Sequence, residues 1–245
     1  MGKLNEWRVV EKGEVPLVDR QAEVYALARA IRSRQSRLIL GPTGIGKTRL
    51  LEEALSHYHG PHSLLCAPGV LHELLVRLAE VLRCRTARYP SLRDATSIAL
   101  KGVVLDALRA EPRPVLLEDV EHADPRMYRF LQEVYHLPGN CLIVTARSRD
   151  CLGHLRKLLW DPRDEISLKP LTPPECNRLF DAATSKFGLG SLDLEDFRHK
   201  VLASARGNPG QILEMCRLAA RPEYQNGRHI KFLPLRMDVL PAFVG

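Results

Sequence analysis

Close cysteine pairs are missing from this chain. Its six cysteines are scattered over 245 residues, and no two of them form a CxxC pair. The usual spacing of zinc ligands is therefore absent, and nothing indicates the disulfide framework of a small secreted domain. We interpret all six as reduced thiols, most of which fill space in the core.

Long apolar runs are missing too. No stretch approaches the roughly 20 apolar residues that a membrane-spanning helix needs. The first seven residues, MGKLNEW, lack the apolar centre of a secretory signal. We therefore expect a cytoplasmic protein that does not contact membranes.

Acidic residues are in the minority, with 29 Asp and Glu against 36 Lys and Arg and a net charge of +7. This balance permits nucleic-acid binding but does not require it. With 45% hydrophobic residues, the composition is that of a globular protein. A chain of this length can form one large domain, or a core with a small appendage.

Helical and strand patterns alternate along the first two thirds of the chain. The predicted strands are short apolar runs at 37–40, 63–67, 114–119, 140–145 and 165–168. The predicted helices are segments of helical periodicity at 20–33, 49–58, 71–82, 91–109 and 125–135. This alternation predicts an α/β fold with a mainly parallel sheet sandwiched by helices.

The pattern changes after residue 168, where three helical segments follow one another without strands, at 173–187, 194–204 and 209–220. We interpret them as a small C-terminal helical lid subdomain. The predicted domains are therefore an α/β core at 1–170, a lid at 171–220 and a C-terminal tail at 221–245. The tail is punctuated by prolines and fits neither period.

The strongest chemical signal is a glycine-rich stretch between the strand 37–40 and a helical pattern from about Lys47. Its residues are Gly41, Pro42, Thr43, Gly44, Ile45, Gly46, Lys47 and Thr48, which fit the P-loop pattern GxxxxGK[ST]. In such a loop, backbone N–H groups face phosphate oxygens, the lysine reaches the β- and γ-phosphates, and the hydroxyl binds Mg²⁺. The following helix aims its positive end at the same charge. We therefore predict ATP and Mg²⁺ as ligands of residues 41–48 and the adjoining Arg49; the alternative is a chance match in a turn.

Two adjacent carboxylates, Glu118 and Asp119, end the third predicted strand, where open α/β sheets place their ligand crevice. One suits the water shell of a metal ion, and the other suits the attacking water. The alternative is an acidic pair that caps the next helix, although Asp124 fits that cap itself. Thr145 ends the next strand within reach of a γ-phosphate or water, and Arg147 follows as a phosphate sensor or as an exposed side chain.

In this order, the motifs resemble those of the AAA+ ATPases, and within them the branch of STAND signalling and origin-recognition-like ATPases. Residues 15–23 are similar to the hhGRExE stretch that packs near adenine, which implies nucleotide contacts for Val18 and Arg20. Residues 41–48 and 115–119 resemble Walker A and Walker B, and residues 145–147 resemble the T-x-R ending of sensor 1. Gly207-Asn208-Pro209 resembles the GxP motif of the lid, which adds Pro209 to the nucleotide contacts.

Three departures from that pattern affect what the resemblance implies. Asp19 stands where the family has Gly, and Arg206 precedes the lid motif with no basic residue after it. The acidic pair has Glu first, whereas the family has Asp first. By position, Glu118 would join Thr48 on the metal side and Asp119 would activate water. Because Asp119 is the shorter acid, we expect slow hydrolysis.

The resemblance implies an ATP-dependent molecular switch whose nucleotide state controls self-assembly into a homo-oligomer or the binding of a protein partner. Its arginine finger would come from a neighbouring subunit, with Arg126, Arg129, Arg147, Arg149 and Arg156 as candidates. A second hypothesis is a DNA-binding ATPase in transposition, replication or repair, favoured by the basic stretches 32–37 and 83–88. A third, a small-molecule kinase, is disfavoured by Thr145 and the lid motif.

Overall fold

The structure is a computed structural model that describes residues 15, 17–66, 70–85 and 91–243, with residues 64–66 described by their backbone. The chain forms two compact units. One is Arg20–Lys169, and the other consists of the described residues of Pro170–Gly245 and Met1–Asp19. The predicted core ends at residue 170, and the predicted tail shares a unit with the predicted lid.

A five-stranded parallel sheet forms the centre of the Arg20–Lys169 unit. The strands are β1 (Arg37–Leu40), β2 (Ser63–Cys66), β3 (Pro114–Glu118), β4 (Cys141–Ala146) and β5 (Glu165–Ser167). They lie in the order β2-β3-β4-β1-β5, and every pairing is parallel. All five residues of β3 and all six of β4 are buried, which explains their continuous apolar sequence.

Helices cover both faces of this sheet. They are α1 (Gln21–Arg32), α2 (Lys47–Ser56), α3 (Leu71–Val81), α4 (Ser97–Ala110) and α5 (Pro125–His136). Alternate strand residues point to opposite faces. Leu38 and Leu40 join a core formed largely by α3, α4 and α5, whereas Ile39 is buried outside that cluster.

Local capping signals set several helix ends. Asp124 accepts a hydrogen bond from the Met127 N–H at 2.7 Å, and Pro125 occupies the first turn, as predicted for α5. The single helix predicted at 91–109 is wrong. A short 3₁₀ turn, Leu92–Asp94, is followed by extended backbone, and α4 begins only after Thr96, whose hydroxyl accepts from the Ala99 N–H. The other described ends lie within two residues of prediction.

The described residues of the other unit form four α-helices and a hairpin. The helices are α6 (Pro173–Lys186), α7 (Leu194–Ala205), α8 (Pro209–Ala219) and α9 (Phe232–Val239), and the hairpin pairs β6 (Gln225–Asn226) with β7 (His229–Ile230). Leu235 and Val239 of α9 are buried in the same core as Phe180 and Met215, so residues 221–243 contribute to this core. Across the described part of both units, no helix has the length and apolarity to cross a membrane.

Candidate nucleotide-binding site

The P-loop and the acidic pair lie at the carboxyl ends of neighbouring strands. The loop follows β1, β1 pairs with β4, and β4 pairs with β3. Because Leu117 lies opposite Val144, Glu118 comes level with Thr145. The sheet order therefore brings three separated stretches of sequence, 41–48, 118–119 and 145–147, to one edge.

The P-loop leaves the start of α2 open. Gly46 precedes α2 with a φ of 104°, a left-handed conformation that glycine adopts without a steric penalty. A Cβ at Gly46 would meet no atom within 4 Å, and Gly46, as the residue before the helix, offers no side chain to cap it. The first N–H groups of a helix have no partner inside it, so they and the helix dipole favour an anion here.

Lys47 holds its ammonium group inside the loop. The residue is only 6% exposed, and Nζ donates to the carbonyl oxygens of Gly41 at 2.9 Å and Pro42 at 3.4 Å. Nζ also lies 3.6 Å from Oδ1 of Asp119. Thr48 is exposed in the first turn of α2, whereas Arg49 pairs along its own helix with Glu52 and Glu53. Lys47 thus brings the P-loop into contact with the second residue of the acidic pair, Asp119.

The two acids have different surroundings. Glu118 is buried, at 2% exposure, as the last residue of β3. Asp119 is the first residue after it, with a side chain that is 58% exposed and a φ of 45°. Its N–H donates to Thr145 Oγ1 at 2.9 Å, and the next N–H, of Val120, donates to the Thr145 carbonyl at 2.9 Å. Buried Thr145 therefore anchors the turn that carries Asp119.

Arg147 is held by a residue that the sequence patterns did not single out. Its Nη2 donates to Oε2 of Glu121 at 2.8 Å, and Nε lies 2.5 Å from Oε1. The hydrogen bond to Glu121 raises the pKa of the Arg147 guanidinium. No sequence period marks Glu121, since it lies in the loop after β3. His122 follows, exposed, with its N–H donating to the Cys151 carbonyl.

The remaining predicted contacts are divided between the units. Arg20 is buried, pairs with Glu23 at 3.2 Å and donates to the Lys169 carbonyl. Val18 packs on the helical core of the other unit, and Pro209 opens α8 there. Pro16, within the hhGRExE-like stretch, lies outside the described residues.

Gly207 of the lid motif is fixed by close packing within its unit. Its φ is 83°, and its carbonyl accepts from the Leu171 N–H at 2.8 Å. A Cβ at this position would lie 2.6 Å from the Leu171 carbonyl oxygen. Only glycine fits such an approach, which accounts for this part of the motif in structural terms.

The residues at the sheet edge fit a magnesium nucleotide. The open start of α2 and the Lys47 ammonium supply donors for phosphate oxygens. No cluster of three or more His, Cys, Asp or Glu that could hold a metal occurs in the ranges that the structure describes. Mg²⁺ does not need one, because it usually takes one or two protein oxygens together with phosphate and water. Thr48, in the first turn of α2, and Glu118, at the end of β3, remain the side chains predicted for that role.

No protein-family model and no curated protein matches the chain. Solved structures do. The Aeropyrum pernix ORC1 protein in complex with DNA is similar with a TM-score of 0.66 and 16% identity, over 95% of this chain and 67% of that one. The Walker-type ATPase PABY2304 of Pyrococcus abyssi gives 0.59 and 17%, over 91% and 72%.

The chain has the AAA+ P-loop ATPase fold. The RuvB Holliday junction branch migration motor of Thermotoga maritima shares it as well, with a TM-score of 0.55 and 15% identity over 90% of this chain and 68% of that one. The predicted resemblance and fold class are thus confirmed. At such low identities the likeness concerns the AAA+ fold itself.

Proposed function

We propose that the protein is a cytoplasmic, ATP-binding molecular switch that hydrolyses ATP slowly and whose nucleotide state controls self-assembly or partner binding. The observation that carries this proposal is the position of Lys47, inside the loop at the start of α2 and 3.6 Å from Asp119. Its ammonium donates to two carbonyl oxygens and lies near one carboxylate. The γ-phosphate of ATP would compete with Asp119 for the same cation.

The two acids take separate roles in this proposal. Glu118, buried at the end of β3, acts with Thr48 to hold Mg²⁺, which when bound neutralises charge on the phosphate oxygens. Asp119, exposed and one residue further, accepts a proton from the attacking water. Thr145 positions Asp119 by accepting hydrogen bonds from the backbone N–H groups of Asp119 and Val120. A short acid on a firmly anchored turn reaches less far toward water, so this arrangement favours slow hydrolysis.

Self-assembly would place an arginine of a neighbouring subunit, the arginine finger, at the nucleotide phosphates. Arg147 pairs with Glu121, and Arg149 pairs with Glu165 at 2.7 Å, so both are engaged within the chain. Arg126, Arg129 and Arg156 are exposed, and among the described residues none of the three forms a hydrogen bond or ion pair. These three are therefore the stronger candidates for an arginine finger that a neighbouring subunit donates.

Light scattering coupled to size-exclusion chromatography, with and without Mg²⁺ and ATP, tests the switch. We expect the mass to rise with ATP and to return to its starting value with ADP, while phosphate release is slow and needs Lys47. A mass that is the same in every nucleotide state would contradict control of assembly. Phosphate release that requires an added small-molecule acceptor would favour the kinase alternative.

A further inference from the structure

A basic and aromatic surface runs along α1 to its end and includes the residues that follow α2. We call it the α1–α2 surface and define it by its residues, Tyr25, Arg29, Arg32, Arg34, His57 and Tyr58. The helix α2 begins at the P-loop and runs for 10 residues, so its far end lies about 15 Å from that loop. The α2 end of this surface is therefore separate from the P-loop, and none of the surface residues is among the nucleotide contacts predicted above.

Aromatic rings are held in place on this surface. Tyr25 is 65% exposed, and its ring stacks on His57 with centroids 6.5 Å apart and planes 27° apart. Tyr58 folds over the turn at Gly60, where a Cβ would lie 2.3 Å from the Tyr58 hydroxyl oxygen. The Arg34 guanidinium lies 5.6 Å from the centre of the Tyr58 ring. Fixed, accessible rings beside arginines are the elements on which unpaired bases stack.

Carboxylates are absent from the two stretches that form this surface. The sequence has no Asp or Glu between Glu23 and Glu52, and none between Glu53 and Glu73. Arg29 and Arg32 are exposed, and neither pairs with an acid in the part of the chain that the structure describes. The acids contributed by other elements are engaged, since Asp164 pairs with Arg37 at 2.5 Å and Glu111 pairs with Arg113. The surface is thus strongly cationic.

Arg34 occupies a position where its backbone alone would favour glycine. Its φ is 55°, and the Gln35 N–H donates back to the Ala30 carbonyl at 2.9 Å, which closes the end of α1. Glycine is the usual residue at such a left-handed helix end, and other residues are destabilising there. The Arg34 side chain instead contacts Tyr58 and the Pro112 carbonyl. The Arg34 guanidinium is therefore present at a position where glycine would make the end of α1 more stable.

We propose that the α1–α2 surface binds single-stranded nucleic acid, with phosphates on the exposed Arg29 and Arg32, a base on the exposed Tyr25 ring, and Arg34 holding the Tyr58 ring beside them. A duplex offers phosphates but keeps its bases stacked inside, so it would leave Tyr25 unused. An acidic peptide would likewise pair with the arginines but leave Tyr25 unused. The proposal goes beyond the nucleotide switch, does not require ATP, and gives the DNA-binding hypothesis a location and a strand type.

Fluorescence anisotropy with a labelled 20-nucleotide mixed-sequence DNA strand, without ATP, tests this. Two phosphate contacts give a slope of about −1.4 for log affinity against log salt, so raising NaCl from about 50 to 200 mM should weaken binding roughly 7-fold. Arg29→Glu with Arg32→Glu should remove most of that salt dependence. Tyr25→Ala should weaken binding at least about fivefold with little change in the salt slope. Arg34→Gly should weaken binding while the melting temperature stays or rises.

The matched control reverses two exposed lysines elsewhere in the same unit, Lys157→Glu with Lys169→Glu, which changes the net charge by the same amount. This control should bind the strand within about twofold of the unchanged protein. Equal losses in both charge-reversed variants would overturn the proposal, because binding would then follow net charge. So would a Tyr25→Ala variant that binds normally, tighter binding of the matched duplex, or polyglutamate that binds as tightly as the strand. ATP binding, measured separately, distinguishes failure here from failure of the switch.

Discussion

The anchoring of Asp119 by Thr145 leads to a specific mutational prediction. Thr145→Val keeps the shape of a side chain that is 1% exposed but removes the oxygen that accepts the Asp119 N–H at 2.9 Å. Leaving such a donor without a partner costs about 1–3 kcal/mol. Because the Asp119 side chain is 58% exposed, water reaches this turn. We therefore expect the free energy of unfolding, measured in urea, to fall by only about 1 kcal/mol.

The same change should act on hydrolysis more than on binding. Asp119 has a φ of 45°, a left-handed conformation that few non-glycine residues adopt and that the bonds to Thr145 maintain. Without the hydroxyl the turn relaxes and the carboxylate moves. A loss of about 1.4 kcal/mol at the reacting water lowers kcat about tenfold. The Kd for ATP should change less than about twofold, since Lys47 and α2 are untouched.

Steady-state phosphate release and calorimetry measure these two quantities, and Thr145→Ser, which keeps the hydroxyl, provides the control. We expect the serine variant to recover most of the lost kcat. If the valine variant hydrolyses ATP normally, Thr145 does not position the acid. If its affinity for ATP falls as far as its kcat, Thr145 contacts the nucleotide directly and the anchoring role is wrong.

Three further predictions follow from the described contacts. Gly207→Ala should destabilise the protein by about 2–4 kcal/mol, because a Cβ would lie 2.6 Å from the Leu171 carbonyl; Gly188→Ala, also at positive φ but in open space, should cost only about 1 kcal/mol in the same urea titration. Asp119→Asn should lower kcat at least about tenfold and should keep or raise the affinity for ATP, because a neutral side chain no longer competes for the Lys47 ammonium 3.6 Å away; an unchanged kcat would remove Asp119 from the chemistry. Burial raises the pKa of the Cys216 thiol from 9.0 to about 12. Between pH 9 and 12 unfolding therefore releases a proton, so the free energy of unfolding should fall as the pH rises through this range. Cys216→Ala should show a shallower fall.

The strands and the P-loop could be predicted because their signals are local. β1, β3 and β4 are continuous apolar runs, as strands buried on both faces must be. The loop glycines and Lys47 follow one another directly, so no long-range contact is needed to recognise them. Asp124 was recognisable as a cap for the same reason, since its partner is three residues away.

Features that depend on long-range packing could not be predicted. The pairing of Arg147 with Glu121 joins two loops that only the β3–β4 pairing brings together. The hairpin in the tail has strands of two residues, too short to show a period, and α9 is marked only by Leu235 and Val239 facing a core from earlier helices. The start of α4 was misplaced because the residues from 91 onward also fit a helix, until Thr96 competes as a cap.

Calorimetric titration of Mg²⁺ and ATP into the protein and its Lys47→Ala variant tests ATP binding most directly. Lys47 is buried in the loop, so its removal takes away a charge-assisted contact worth about 1.5–3 kcal/mol. We predict saturable binding that weakens about 10- to 100-fold in Lys47→Ala and is unchanged in Lys101→Ala, which removes an ammonium paired with Glu133 on the same unit. No binding to the unchanged protein, or equal binding to all three proteins, would contradict the account.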